Sequence, residues 1–145
     1  MNIVVGRGVN EILFGISRES LISKIGEPDK VSLSELINYA VFIYNDQMTK
    51  YEFNQEENYI LTSIESKNPQ VMLYNKCIIG YKKDALLEFL KSKGVVSFDY
   101  EEYEFFETIY CEEISATFEI EFNRVVGIEF SPLYDDIGDY ILPEN

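Results

Sequence analysis

The sequence predicts an α+β protein in which two tandem units, each a helix followed by an antiparallel meander, form one sheet with the helices on one face. Three observations lead to this expectation. The chain contains an internal repeat, each repeat has a short amphipathic helical segment, and each helix is followed by runs in which apolar and polar residues alternate.

The repeat relates two stretches that precede the predicted helices. Asn10–Gly15 resembles Asn75–Gly80 at an offset of 65 residues, and similar matches continue in the same order. These further matches are Leu21 with Leu86, Ile43–Tyr44 with Ile109–Tyr110, Phe53–Asn54 with Phe122–Asn123, and Ile64–Glu65 with Ile128–Glu129. We therefore expect a single compact domain over 1–145, built of two repeats at about 10–66 and 75–131.

Both predicted helices have identifiable ends. Ser17 is a suitable N-cap for the first helix, whose apolar stripe includes Leu21, and Gly26 ends it. The second helix is predicted to end at Gly94, but Lys82 is a poor residue for its N-cap.

Six strands are predicted from apolar alternation and from the short polar loops between the runs, which are typical of antiparallel hairpins. They cover 38–44, 49–54 and 59–65 in the first unit, and 103–110, 114–122 and 124–130 in the second. Gly127, inside the last run, suggests a bulge or a close approach of backbone.

Composition excludes several classes of function. The chain has 26 acidic residues against 12 Lys and Arg, a formal net charge of −14, so a phosphate-binding groove for nucleic acid is not expected. Without His, neither a Ser-His-Asp triad nor a His metal site can form. We therefore predict a non-enzymatic protein with no catalytic residues, no metal and no cofactor.

The expected location is the cytoplasm. The first residues lack the features of a signal peptide, and no apolar run approaches the ~20 residues of a membrane helix. Cys77 and Cys111 lie in sequences that are typical of strands and are interpreted as reduced core cysteines.

Phe14–Asp29 resembles the opening of the β-lactamase-inhibitor-protein-like fold. The shared features are Gly15-Ile16-Ser17 with Glu19 at the helix start, and Ile25-Gly26-Glu27-Pro28 at its end. Tandem members of that family are inhibitors that hold an enzyme against a concave sheet, so the resemblance implies a similar sheet here. In size, charge and composition the chain is also similar to the bacterial immunity proteins of polymorphic-toxin and contact-dependent growth inhibition systems.

Two acidic-aromatic segments are the candidate binding surfaces. Acidic side chains suit a basic partner, and tyrosines supply contact area at little entropic cost. The first segment is much more acidic than its counterpart in the first unit, 34–38, so the fold does not require its charge. The predicted partner-binding residues are Asp99, Tyr100, Glu101, Glu102, Tyr103, Glu104, Tyr134, Asp135, Asp136 and Asp139.

These observations favour an immunity or inhibitor protein that neutralises a cognate, basic toxin domain, with a nuclease as the expected activity of the toxin. The chain itself is expected to be a monomer or weak dimer, with no direct contact with nucleic acid or membrane. One alternative is a small-ligand-binding or hydrolytic protein that uses carboxylates between the two repeats. Another is an assembly module that pairs through a sheet edge.

Overall fold

A computed structural model describes residues 1–34 and 39–144. The strands in chain order are β1 (Asn2–Val4), β2 (Gly8–Val9), β3 (Ile12–Leu13), β4 (Lys30–Ser34), β5 (Tyr39–Tyr44), β6 (Thr49–Asn54), β7 (Ile60–Ser66), β8 (Met72–Leu73), β9 (Lys76–Cys77), β10 (Asp99–Glu102), β11 (Glu107–Cys111), β12 (Ala116–Glu121), β13 (Arg124–Phe130), β14 (Leu133–Tyr134) and β15 (Tyr140–Ile141). The helices are α1 (Arg18–Ile25) and α2 (Lys83–Ser92), with 3₁₀ turns at Gln55–Glu57 and Glu112–Ile114.

The predicted α+β class, with one sheet carrying the helices on one face, is wrong. The protein is mostly β, with 44% of residues in strands and 17% in helices. The strands form sheets of eight, five and two strands. The five-stranded sheet consists of strands of two or three residues, which are too short to show apolar alternation in a sequence. The periodicity argument therefore missed most of the additional strands.

The eight-stranded sheet has the order β10-β11-β12-β13-β7-β6-β5-β4 and is antiparallel throughout. The predicted runs 49–54 and 124–130 match β6 and β13, whereas the run 103–110 is partly a turn and β10 precedes it. The run 38–44 corresponds to β5, and its first residue lies outside the described part of the chain.

Two four-stranded meanders, β4–β7 and β10–β13, meet where β7 pairs with β13. The register is symmetric about Glu65, which faces Glu129. Ile64 pairs with Phe130 and Ser66 pairs with Ile128 on either side. Since residues directly opposite in an antiparallel pair share a face, Ile64, Phe130 and Ile128 all point into the core, where each is buried.

The large sheet has a bulge near Gly127. The register between β12 and β13 shifts after Glu119, as the glycine predicted. A Cβ on Gly127 would lie 3.3 Å from Lys67 Cγ and 3.5 Å from the Ser66 carbonyl oxygen, so the β7–β13 junction also approaches closely here.

The interior is one hydrophobic cluster, to which both helices and the six inner strands of the large sheet contribute buried side chains. Leu21 of α1 and Leu86 and Leu90 of α2 are fully buried against side chains such as Phe53 and Phe118 of the sheet. Cys111 is buried as predicted. The prediction for Cys77 is wrong, because this residue lies in the peripheral strand β9 and is exposed.

The helix caps allow a paired test of stability. Ser17 Oγ accepts a hydrogen bond from Ser20 N at 3.1 Å, as the sequence predicted, whereas Lys82 at the N-cap of α2 makes no side-chain capping bond. We expect Ser17→Ala to lower the free energy of unfolding by about 1 kcal/mol. Lys82→Ser should raise it by up to about 1 kcal/mol, because it supplies the missing acceptor and removes a positive charge from the helix N-terminus.

Urea unfolding of the two variants and the wild type at pH 7 measures both effects. Lower stability of Lys82→Ser would show that the lysine stem contributes more by packing than a cap would contribute by hydrogen bonding.

Candidate functional site

One row of opposed residues crosses all eight strands on the solvent-facing side of the large sheet. From β4 to β10 it consists of Lys30, Ile43, Lys50, Glu65, Glu129, Thr117, Tyr110 and Asp99. Directly opposed residues share a face and lie about 5 Å apart at Cβ. The row is thus basic at the β4 end and acidic from the sheet centre to the β10 edge.

A neighbouring row on the same side adds more carboxylates. Glu101 faces Thr108, Thr108 faces Glu119, and Glu119 faces Gly127. We call the following residues the polar face: Glu52, Ser63, Glu65, Tyr110, Thr108, Thr117, Glu119, Glu129, Asp99 and Glu101. A cavity of ≈ 530 Å³ at the β10 end of this face is lined by residues that include Asp99, Glu101, Tyr110 and Glu129.

Three carboxyl groups meet at the centre of the polar face. Partial burial, with repulsion from Glu129 and Glu65, raises the pKa of Glu52 from 4.5 to about 7, and Lys50 offsets part of this effect. Desolvation also raises the pKa of Glu129, although Ser63 Oγ donates a hydrogen bond to its carboxylate at 3.1 Å. Directly opposed like charges destabilise a sheet, so Glu65 and Glu129 lower the stability of the junction that they share.

Few of these acids are neutralised within the protein. Among residues 1–34 and 39–144 there are two ion pairs, Lys67–Glu119 at 3.6 Å and Lys83–Glu107 at 3.0 Å. Most carboxylates on the polar face and along the β10 edge are therefore available to a cation outside the chain.

The first predicted segment is the edge strand β10 and the turn that follows it, and its residues are exposed. Asp99 and Glu101 lie on the polar face. Tyr100 and Glu102 point to the opposite side, since they face Ile109 and Glu107. The Tyr103 hydroxyl donates a hydrogen bond to the Glu101 carboxylate, which raises the pKa of Tyr103. The segment thus presents acids to both sides of the sheet edge.

The second predicted segment is a β-hairpin formed by β14 and β15. The Tyr134 and Tyr140 rings lie 5.0 Å apart. The Asp135 carboxylate accepts hydrogen bonds from Ile137 N at 3.0 Å and Asp139 N at 2.9 Å, so it organises the hairpin loop. Asp136 and Asp139 are exposed in the same loop.

Tyr110 connects the two predicted segments. It lies opposite Asp99 in the sheet. Desolvation is the main cause of its raised pKa, and the nearby groups Tyr134, Glu112 and Asp99 add to it. The structure therefore brings the Asp99 end of the first segment and the Tyr134 end of the second to the same tyrosine.

The sequence argument missed the carboxylates at the sheet centre. Glu52, Glu65 and Glu129 belong to strands whose alternation is ordinary, and no local feature distinguishes them from other solvated acids. A signal was present, because the repeat aligns Ile64–Glu65 with Ile128–Glu129. It becomes informative only once β7 is known to pair with β13.

Glu113, which the sequence also places in a loop, has a structural role. Its carboxylate accepts hydrogen bonds from Val96 N at 2.6 Å and Ser97 N at 3.1 Å, which lower its pKa.

Within the described ranges, no group of three or more Cys, Asp or Glu residues is placed to hold a metal ion. Over the same part of the chain, neither helix has the length and apolar character needed to cross a membrane.

Comparison with known proteins gives one structural likeness. No known protein family and no curated protein sequence matches the chain. The crystal structure of an extracellular protein containing an SCP domain, from Bacillus anthracis strain Ames, is similar over 99% of this chain, with a TM-score of 0.53 and 14% identity. The chain spans 55% of the length of that protein. At this identity the likeness concerns the fold alone.

The central carboxylates predict that stability depends on pH. Glu52 has a pKa of 4.5 when unfolded and about 7 when folded, so between these values the folded state retains a proton that the unfolded state has lost. The free energy of unfolding should fall as pH rises from about 4.5 to about 7, by roughly 1–2 kcal/mol, because solvent screens a carboxyl group that is only partly buried.

Urea unfolding at pH 5, 6, 7 and 8 measures this dependence. Glu52→Gln should flatten the profile and be more stable than the wild type at pH 8. Glu56→Gln, which makes the same change at an exposed site in the 3₁₀ turn Gln55–Glu57, serves as the control. An undiminished slope in Glu52→Gln would contradict the assignment of the effect to this group.

Proposed function

We propose that the protein is a non-catalytic immunity or inhibitor protein that binds and neutralises a cognate basic toxin domain. The single observation that carries the proposal is the acidic half of the row, from Glu65 to Asp99, where no carboxylate forms an ion pair with another described residue. The row reaches the β10 edge and contains Glu65 directly opposite Glu129. Directly opposed like charges destabilise the sheet. A cationic partner would offset this repulsion, because both carboxylates would be attracted to it.

The proposed interface combines charge with aromatic area. Asp99 and Glu101 supply carboxylates at the sheet edge, and Tyr110 and Tyr134 lie beside them. A nuclease toxin is the partner class that we favour, because an enzyme that binds phosphate needs a cationic groove, which acids of this kind would occupy. Opposite potentials would also accelerate association and make its rate sensitive to salt.

We place this activity in the bacterial cytoplasm, with the protein acting as a monomer or weak dimer and without direct contact with nucleic acid or membrane. The free thiols support this location, because Cys77 is exposed and forms no disulfide, as is usual in a reducing compartment. The structural neighbour is an extracellular protein, so cell fractionation should accompany any binding experiment.

A small-ligand-binding or hydrolytic role is the second candidate. The raised pKa values of Glu52 and Glu129 favour it, as does a cavity of ≈ 250 Å³ lined by Glu65, Glu119 and Glu129 where the two meanders meet. We rank it second because this cavity lies on the solvent-facing side of the sheet and Cys and His are not among its lining residues. Ser63, which donates a hydrogen bond to Glu129, does not line it either.

The first experiment is co-expression with the protein encoded by the adjacent reading frame. The proposal expects a stoichiometric complex in which the toxic activity of that protein is lost. Separate elution of the two proteins at low salt, with the toxicity retained, would overturn it.

Charge reversal at the β10 edge tests which surface is used. Glu101→Lys/Glu102→Lys should weaken that complex by at least about 10-fold, chiefly by slowing association at low salt. Glu56→Lys/Glu57→Lys is the matched control. It makes the same charge change at an adjacent pair of exposed acids in the 3₁₀ turn between β6 and β7, in the other meander. Both variants should unfold at nearly the wild-type urea concentration. Equal affinities of the two variants would show that β10 is not the interface.

A further inference from the structure

Four aromatic side chains lie at one end of the large sheet. Tyr103, Phe105 and Phe106 belong to the turn between β10 and β11, and Phe122 belongs to the turn between β12 and β13. Tyr103, Phe106 and Phe122 line a common cavity of ≈ 210 Å³. We call these four residues the aromatic tip. Phe122 is 97% exposed and Phe105 is 79% exposed, so the tip presents apolar surface to solvent.

Phe122 also adopts a backbone conformation that is unfavourable for its residue type. Phe122 and Asn123 form a two-residue turn with φ angles of 48° and 65°. Such turns favour Asn, Asp and Gly, and a bulky residue in the left-handed region costs of order 1 kcal/mol. Neither the conformation nor the exposure of this ring contributes to the stability of the fold.

The first half of the chain has a different residue at the corresponding left-handed position. In the first half, Gly15 N donates to Leu61 O and Leu61 N donates to Ile16 O. In the second half, Gly80 N donates to Val125 O and Val125 N donates to Tyr81 O. These bonds make Leu61 equivalent to Val125. By position before these strands, the left-handed pair Asn58 and Tyr59 corresponds to Phe122 and Asn123. The connections differ, because Asn58 and Tyr59 follow the 3₁₀ turn Gln55–Glu57, whereas Phe122 and Asn123 alone join β12 to β13.

The first half thus has asparagine at the left-handed position that corresponds to Phe122. The repeat match of Phe53–Asn54 with Phe122–Asn123 does not hold in the structure, because Phe53 is a buried residue of β6. Phenylalanine at 122 is consequently not a copy of a core residue. Neither the repeat nor the backbone conformation accounts for a Phe at this position.

Hydrogen bonds and one ring stack hold the two turns that carry the aromatic tip. Lys83 N donates to Asn123 O at 3.1 Å, and Arg124 Nη1 donates to Gly80 O at 2.9 Å, which fixes the Phe122 turn against the start of α2. In the other turn, Tyr103 N donates to Phe106 O at 2.8 Å, and the two rings stack at 4.6 Å. Preorganised aromatic groups bind with a smaller entropic penalty.

The charges around the tip indicate what it binds. Glu102 and Glu104 are exposed beside Tyr103 and Phe105, and the nearby Lys83 is paired with Glu107 at 3.0 Å. Lys82 and Arg124 are exposed beside the Phe122 turn, where Arg124 is held by the Gly80 carbonyl. The rim is therefore acidic at the Tyr103–Phe106 turn, and the net charge of −14 opposes binding to an anionic membrane or to a second copy of the chain. A protein surface with an apolar pocket surrounded by Lys or Arg fits both the rings and the rim.

We propose that Phe122 and Phe105 are anchor residues that insert into an apolar, cation-rimmed pocket of a basic protein partner. This inference deepens the proposed function and rests on it for the basic character of the partner. It extends the interface from the polar face to the sheet end.

The test uses two synthetic peptides of equal length and positive charge, one of Lys and Leu and the other of Lys and Ser. Fluorescence anisotropy gives the affinity of the full chain for each, and amide chemical shifts locate the binding. We expect the wild type to bind the Lys–Leu peptide about 10-fold more tightly, with shifts at 103–106 and 121–123. Phe122→Asn and Phe105→Asn should each remove most of this preference and leave binding of the Lys–Ser peptide unchanged.

Val96→Asn is the matched control, because Val96 is an exposed apolar residue that precedes β10 at its other end. It should retain the full preference. Phe122→Asn should be at least as stable to urea as the wild type, since asparagine suits its backbone conformation.

The outcomes separate the two proposals. Equal binding of both peptides by the wild type overturns the anchor assignment but leaves the acidic-interface proposal standing. Absence of binding to either peptide at low salt contradicts the proposed function itself. Loss of stability in Phe122→Asn would assign the ring a structural role. Wild-type binding to phosphatidylcholine vesicles, or a dimer that Phe122→Asn dissociates, would replace the basic partner with a membrane or a second copy.

Discussion

The pairing of β7 with β13 is the constraint on which the rest of the structure depends. It joins two four-stranded meanders into one sheet, and on the inner side it places Ile64, Phe130 and Ile128 in a common core. The same three pairs determine the outer side. Because side chains alternate across a strand, burying Ile64 and Phe130 leaves Glu65 and Glu129 facing each other toward solvent. The core and the acidic centre of the polar face therefore follow from a single register.

The two edge strands of the large sheet differ in charge, since β10 is acidic and β4 is not. Acidic residues on β10 could simply protect an edge strand from pairing with other chains. The opposite edge, β4, exposes Val31 and Leu33 and has Lys30 as its charged residue, so this protein does not protect its edges uniformly. Edge protection also does not explain Glu65 and Glu129, which lie in central strands. A partner that binds the acidic half of the sheet accounts for both positions.

Local features were predictable from the sequence, and long-range ones were not. The cap at Ser17, the strand over 124–130 and the bulge near Gly127 depend on neighbouring residues, and each appears in the structure. The fold class failed because β2, β3, β8 and β9 have two residues each, and because the five-stranded sheet forms only when β1 pairs with β8, which is distant in the sequence. The candidate site was incomplete for the same reason. Asp99–Glu104 forms an acidic cluster in the sequence, but Glu52, Glu65 and Glu129 come together only through strand pairing.

The two halves of the chain provide a comparison that neither half gives alone. Asn58 and Phe122 both adopt a left-handed backbone before strands that make the same hydrogen bonds to the segment preceding each helix. The turns themselves differ, since Asn58 ends the 3₁₀ turn Gln55–Glu57 and Phe122 belongs to a two-residue turn. Asn58 satisfies the turn with a residue suited to it, whereas Phe122 adds strain and an exposed ring. Likewise, the acids that cluster at β10 have no counterpart on β4. Both of these departures lie in the second half of the chain, and they meet the acids Glu52 and Glu65 of the first half only through the pairing of β7 with β13.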